Sequence, residues 1–116
     1  MHDFKGLRVW VNAMDMVEQV YRLLNAMPIS EQYGLSSQMQ RCAVSIPSNI
    51  AEGSGRYSAK EFRRFLGIAY SSCNELETQL LLSTRLDYLQ KVKVDPIIRQ
   101  LDELRQMIYR LRKSLE

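Results

Sequence analysis

Glu75 and Glu77 are the first place to look for general acid–base chemistry in this 116-residue chain. Two positions apart on a helix they point about 160° away from each other, so one stretch of helix cannot use them as a carboxylate pair. The only histidine is His2, close to the chain start, which leaves no second imidazole for a relay and no Glu-x-x-His di-metal signature. Gly53-Ser54-Gly55 lacks the Lys-Ser/Thr ending that a phosphate-cradling loop requires. Cys42 and Cys73 have no metal-ligand spacing and fall in apolar helical stripes, so buried free thiols are expected rather than a disulfide. Glu52 with Asn49 and Tyr57 is the remaining enzymatic arrangement, although a buried polar anchor is the commoner use of such residues. No catalytic residue, metal ligand or cofactor is therefore assigned.

Basic residues are more informative. Arg56, Lys60, Arg63 and Arg64 lie across a loop and the first turns of a helix, and Lys60, Arg63 and Arg64 are expected on one face with Glu61 as the opposing charge. Cations at a helix N-terminus oppose its dipole, so this cluster hints at an anionic partner, although a solvated face with ion pairs explains it equally well. A second cluster, Arg105, Arg110, Arg112 and Lys113, sits near a helix C-terminus, where cations are favoured anyway. The formal charge of +3 and pI near 9.0 tolerate nucleic acid without requiring it.

The elements that position these residues are helical. With 5 Gly and 3 Pro, 46% hydrophobic and 25% charged residues, the chain has little material for the turns of a β fold. Its length suits one domain. Apolar runs reach only a few residues, as at Leu80–Leu82, against ~20 needed to cross a bilayer. With no apolar leader at the start, a cytoplasmic protein without membrane association is expected.

Four helices are predicted, at about 7–26, 35–52, 59–86 and 96–113. In the first, Val9, Ala13, Met16, Val20 and Leu24 form a core stripe, and Trp10, Met14, Val17 and Tyr21 form a second beside it. That is more apolar surface than one core face needs, and it suggests an oligomer interface. In the second, Leu35, Met39, Cys42, Ile46 and Ile50 continue in phase through Pro47, which predicts a kink rather than a break. Gly53 to Arg56 reads as a loop, followed by Ser58 as cap, Glu61 as its capping-box partner and Tyr57 against Phe62 as a hydrophobic staple. Asp95-Pro96 reads as cap and first-turn proline of the last helix, whose seam is Ile97, Leu101, Leu104, Ile108, Leu111 and Leu115. Short connections favour an antiparallel up-down-up-down four-helix bundle, with a three-helix bundle plus separate first helix as the alternative.

Several stretches carry a resemblance: Tyr33-Gly34-Leu35-Ser36-Ser37-Gln38, Ser45-Ile46-Pro47-Ser48-Asn49-Ile50-Ala51-Glu52-Gly53, and Glu75-Leu76-Glu77-Thr78-Gln79-Leu80. Over nearly its whole length the chain resembles the four-helix-bundle family first noticed as reading frames in intervening sequences of bacterial 23S ribosomal RNA genes. The resemblance implies an antiparallel bundle assembling into a pentameric ring, with no known enzymatic activity. More distantly the chain is similar to the accessory variability protein of diversity-generating retroelements, a basic pentamer that engages nucleic acid. Gln40-Arg41 stands where members often carry two adjacent basic residues, which thins the basic surface but keeps Arg41 among the candidates. Ser71 and Asp87 stand where glycine is common.

These readings converge on a homo-oligomer, a pentamer by resemblance, that binds RNA or DNA through Arg41, Arg56, Lys60, Arg63 and Arg64. The rival is an adaptor that recruits a protein encoded nearby and touches no nucleic acid.

Overall fold

A computed structural model describes residues 3–116; His2 lies outside them. Asp3 caps a single 3-10 turn, Phe4–Gly6, by accepting from the Lys5 amide, and Phe4 meets Trp10 edge-on at 5.2 Å between ring centroids. Four α-helices follow: α1 (Arg8–Leu24), α2 (Leu35–Ser54), α3 (Ala59–Arg85) and α4 (Lys91–Ser114). A second 3-10 turn, Ile29–Glu31, lies between α1 and α2. Each helix packs backbone to backbone on two neighbours, in the order α1–α2–α3–α4–α1, while the diagonal pairs meet only through side chains of the shared core. This is an up-down-up-down four-helix bundle, 43 × 24 × 20 Å.

The core follows the apolar stripes. Val9, Ala13, Met16, Val20 and Leu24 of α1 meet Met39, Cys42, Ile46 and Ile50 of α2, Leu66, Ala69, Cys73, Leu76 and Leu80 of α3, and Ile97, Leu101, Leu104 and Ile108 of α4. All of these are buried, whereas Leu111 and Leu115, expected in the same seam, are only half-buried because the last helix reaches the rim of the bundle. Pro47 is buried inside α2, and the helix runs on through it.

Three local expectations are corrected. First, α2 does not end before a Gly53–Arg56 loop: Gly53 and Ser54 are its last turn, both buried. Gly53 is required by close packing, since a Cβ there would lie 2.7 Å from the Phe65 Cβ and 3.0 Å from Phe62 Cδ1. Second, Ser58 does cap α3 by accepting from the Glu61 amide at 3.1 Å, but Tyr57 is 92% exposed and staples nothing. The Glu61 carboxylate turns to Arg64 instead of completing a capping box. Third, α4 starts at Lys91, five residues before Pro96, and the Asp95 carboxylate pairs with Lys91 at 2.8 Å rather than capping. The extra turn is anchored by the buried side chains of Leu89 and Val94.

The end of α3 shows why glycine would suit position 87. Asp87 sits at φ 60°, in the left-handed region, with its amide bonded to the Thr84 carbonyl and the Tyr88 amide to the Ser83 carbonyl. This pair of bonds is a Schellman closure. An L side chain there is strained and glycine is not. Asp87→Gly is therefore expected to stabilise the protein by about 0.5–1 kcal/mol, raising the thermal midpoint by roughly 2–6 °C in calorimetry. A lower midpoint would show that the aspartate supplies more than it strains.

Candidate functional site

The up-down-up-down path brings the start of α1, the end of α2, the start of α3 and the end of α4 to one end of the bundle. The two basic clusters, far apart in sequence, therefore become one surface. The contact is direct: the Arg63 guanidinium donates to the Leu115 carbonyl, and Arg112 Nε donates to the Arg63 carbonyl at 3.2 Å. Lys5, Arg8, Arg56, Lys60, Arg63, Arg64, Arg110, Arg112 and Lys113 belong to this end, opposed by Asp3, Glu52, Glu61 and Glu116. Nine of the 16 basic residues thus share it with four of the 13 acidic ones, which leaves the rest of the chain net acidic.

Within the cluster the side chains divide their roles. Lys60, Arg63 and Arg64 do not act as one face. Arg63 is half-buried against the end of α4, where it ties down the chain, while Lys60 and Arg64 are exposed. Glu61 is not the sole opposing charge, because Glu52 pairs with Arg56 at 3.1 Å as Glu61 pairs with Arg64 at 3.1 Å. The Arg64 hydrogen bond holds the Glu61 carboxyl below the usual carboxylate range, and the same bond raises the Arg64 guanidinium. Both guanidiniums also lie over the Phe65 ring, Arg56 at 4.7 Å and Arg64 at 4.5 Å from its centroid.

Two members of the expected set lie elsewhere. Arg41 projects from the middle of α2, hydrogen-bonded to Ser37, beside a polar groove lined by Gln38, Ser45, Ser72 and Glu75. Arg105 is mostly buried between Glu77 at 2.6 Å and Asp102, so its charge is spent in joining α3 to α4. Lys113 reaches Glu116 at 3.4 Å.

The second stripe of α1 stays only partly covered. Trp10 and Val17 pack against the core edge, while Met14 and Tyr21 are 42% and 44% exposed. Val44 of α2 is likewise 41% exposed. A second apolar set is also exposed: Ile68 and Leu82 of α3, and Leu86 just past its end. Sequence patterning found the first strip but missed the second, whose members are spaced too widely to register as a stripe.

No arrangement for catalysis forms around Pro47. The Asn49 amide donates to the Ser45 carbonyl within its own helix, Glu52 faces outward to Arg56, and Tyr57 projects into solvent. Glu75 and Glu77 diverge as their spacing requires, one toward Cys42 and the other toward Arg105. Among the described residues no group of three or more His, Cys, Asp or Glu is placed to hold a metal ion. No helix among them is long and apolar enough to cross a membrane.

Comparison with known proteins agrees with the fold. The family model of the 23S rRNA-intervening sequence protein matches residues 5–110. A solved structure from Bacteroides thetaiotaomicron VPI-5482, described as a protein of unknown function from the S23 ribosomal protein family, superposes with a TM-score of 0.82 at 25% identity. That match covers 90% of this chain and 98% of the other. No curated protein matches the chain.

Proposed function

Because the chain belongs to the 23S rRNA-intervening sequence protein family, we propose that it is a non-enzymatic, self-assembling module, a pentamer, that binds RNA or DNA through the basic end of its bundle. The observation that carries the binding reading is the segregation of charge: nine basic residues against four acidic ones at one end of a protein whose remainder is net acidic. Nucleic acid is the polyanion such a surface attracts over distance, and repetition of the surface around an oligomer multiplies the field.

Self-assembly is supported by the two apolar sets. The α1 strip and the exposed apolar residues of α3 belong to helices that lie diagonally across the bundle. A contact between unlike patches is heterologous, and heterologous contacts close into rings when the rotation allows. The Met14→Glu/Tyr21→Glu variant is expected to run as a folded monomer in light scattering while the parent runs as an oligomer. A parent that is itself monomeric would remove the assembly reading.

Binding is tested by titrating a fluorescein-labelled structured RNA between 50 and 200 mM salt. Log affinity should fall linearly with log salt, with a slope set by the number of phosphates neutralised. Charge reversal at Arg56, Lys60 and Arg64 should abolish binding, with Arg63 left in place because it anchors Leu115. Unchanged affinity in that variant would leave the protein-adaptor function, for which the apolar strips suffice.

A further inference from the structure

Arg56 and Arg64 are set apart from the other cations of the basic end by how they are held. Each guanidinium has a ring beneath it and a carboxylate beside it. The shared ring is Phe65, and the carboxylates are Glu52 and Glu61, each at 3.1 Å. The ring is itself fixed. Phe65 is buried, and the Gly53 backbone lies so close that a single added carbon would touch its Cβ at 2.7 Å. Two flexible side chains from different elements, the α2–α3 turn and the second turn of α3, are thereby brought to one place. With both Cζ atoms within 4.7 Å of one centroid, the two charges lie within about 10 Å of each other.

Like charges do not gather in this way without compensation, and here each has its own carboxylate. Those pairs are exposed: the Arg56 and Arg64 side chains are 43% and 56% exposed, and their partners are equally open. Exposed pairs one helical turn apart contribute little net, so an incoming anion can displace them, whereas the ring contact persists. A planar guanidinium matches a phosphate bidentately, which an ammonium cannot do. The two guanidiniums can be no farther apart than the sum of their distances to the Phe65 centroid, a spacing that two neighbouring phosphates of one strand can meet. Lys60, exposed on the intervening turn of α3, adds a third cation beside them.

Resting on the nucleic-acid reading above, we propose that Arg56 and Arg64, seated on Phe65, form a clamp for consecutive phosphates of a single strand, with Glu52 and Glu61 as placeholders that keep the guanidiniums in position until the phosphates arrive. The clamp predicts that geometry, and not charge alone, sets affinity at this end.

The test is the Arg56→Lys/Arg64→Lys variant, which conserves charge and removes planarity. The probe is a fluorescein-labelled single-stranded oligouridylate read by anisotropy. The expected result is an affinity about tenfold lower at fixed salt, with the dependence of log affinity on log salt unchanged. Both positions are exposed, and an unaltered thermal midpoint confirms that the fold is intact. Binding equal to the parent would overturn the clamp while leaving the basic end as a diffuse attractor. A parent that binds no RNA at any salt would overturn both readings. Equal binding of a poly-glutamate peptide, with the same loss in the variant, would overturn the assignment to phosphate.

Discussion

In the native protein, Cys42 and Cys73 should be alkylated by iodoacetamide at pH 8 about a thousandfold more slowly than an exposed thiol. The thiolate is the reacting species, so rate follows its fraction. Burial pushes both thiols up to about 12, from an ordinary value near 9.0. For Cys42 the Glu75 carboxylate and the neighbouring Cys73 add to the rise, whereas for Cys73 the Arg105 charge pulls partly back. Cys42 also donates to the Ser72 carbonyl at 3.1 Å, an arrangement that only the protonated thiol can make. A shift of three units lowers the thiolate fraction at pH 8 by roughly three orders of magnitude. Labelling as rapid in buffer as in denaturant would contradict this.

The same shifts couple stability to alkali. A folded-state value above the unfolded one means that the thiols contribute fully below about pH 9, the unfolded value. The contribution is lost as pH rises toward 12, because the unfolded state releases protons that the folded state retains. Each thiol should weaken the fold by about 1.4 kcal/mol per pH unit across that window. The Cys42→Ala/Cys73→Ala variant, compared by urea unfolding at pH 8 and 10.5, should show a smaller loss than the parent. An equal loss in both would assign alkaline sensitivity to other groups.

The second large effect concerns Gly53. Alanine normally favours a helix over glycine by about 1 kcal/mol. At position 53 the opposite is expected, because the added carbon would sit 2.7 Å from Phe65 Cβ and 3.0 Å from Phe62 Cδ1. Both rings are buried between α2 and α3, so neither can swing into solvent. Separating the helices forfeits packing along the contact, and overpacking of this kind costs about 1–3 kcal/mol. Gly53→Ala should lower stability by about 2 kcal/mol and the midpoint by roughly 6–12 °C. A rise in midpoint would mean that the two helices part without loss. Gly53→Ala should also disturb the guanidiniums above Phe65, so loss of RNA affinity would accompany loss of stability.

The bundle was largely legible in the sequence because its core follows a 3.6-residue rhythm that needs no knowledge of partners. Residues read as core on α1, such as Ala13 and Met16, have no exposure at all. The errors fall where a tertiary neighbour decides. Nothing near Gly53 in sequence announces two phenylalanines packed on its backbone, so it read as a loop glycine. Asp95-Pro96 has the form of a helix start, but Leu89 and Val94 reach the core and draw one more turn into α4. The basic surface was half legible. Its members were identified as two clusters, but only the topology joins Arg63 to Arg112 and diverts Arg105 into an interhelical ion pair. Arg41 was included by analogy, and its position along α2 separates it from the rest.

Pro96 lies in the second turn of α4 and has no amide hydrogen, so the Val92 carbonyl lacks its i+4 donor. The opening turn is stitched instead by the Lys93 and Val94 amides, both donating to the Gln90 carbonyl. Amide exchange should divide α4 at this point. Protons ahead of the proline should exchange through a local opening, while those from Leu101 onward wait for rupture of the whole bundle.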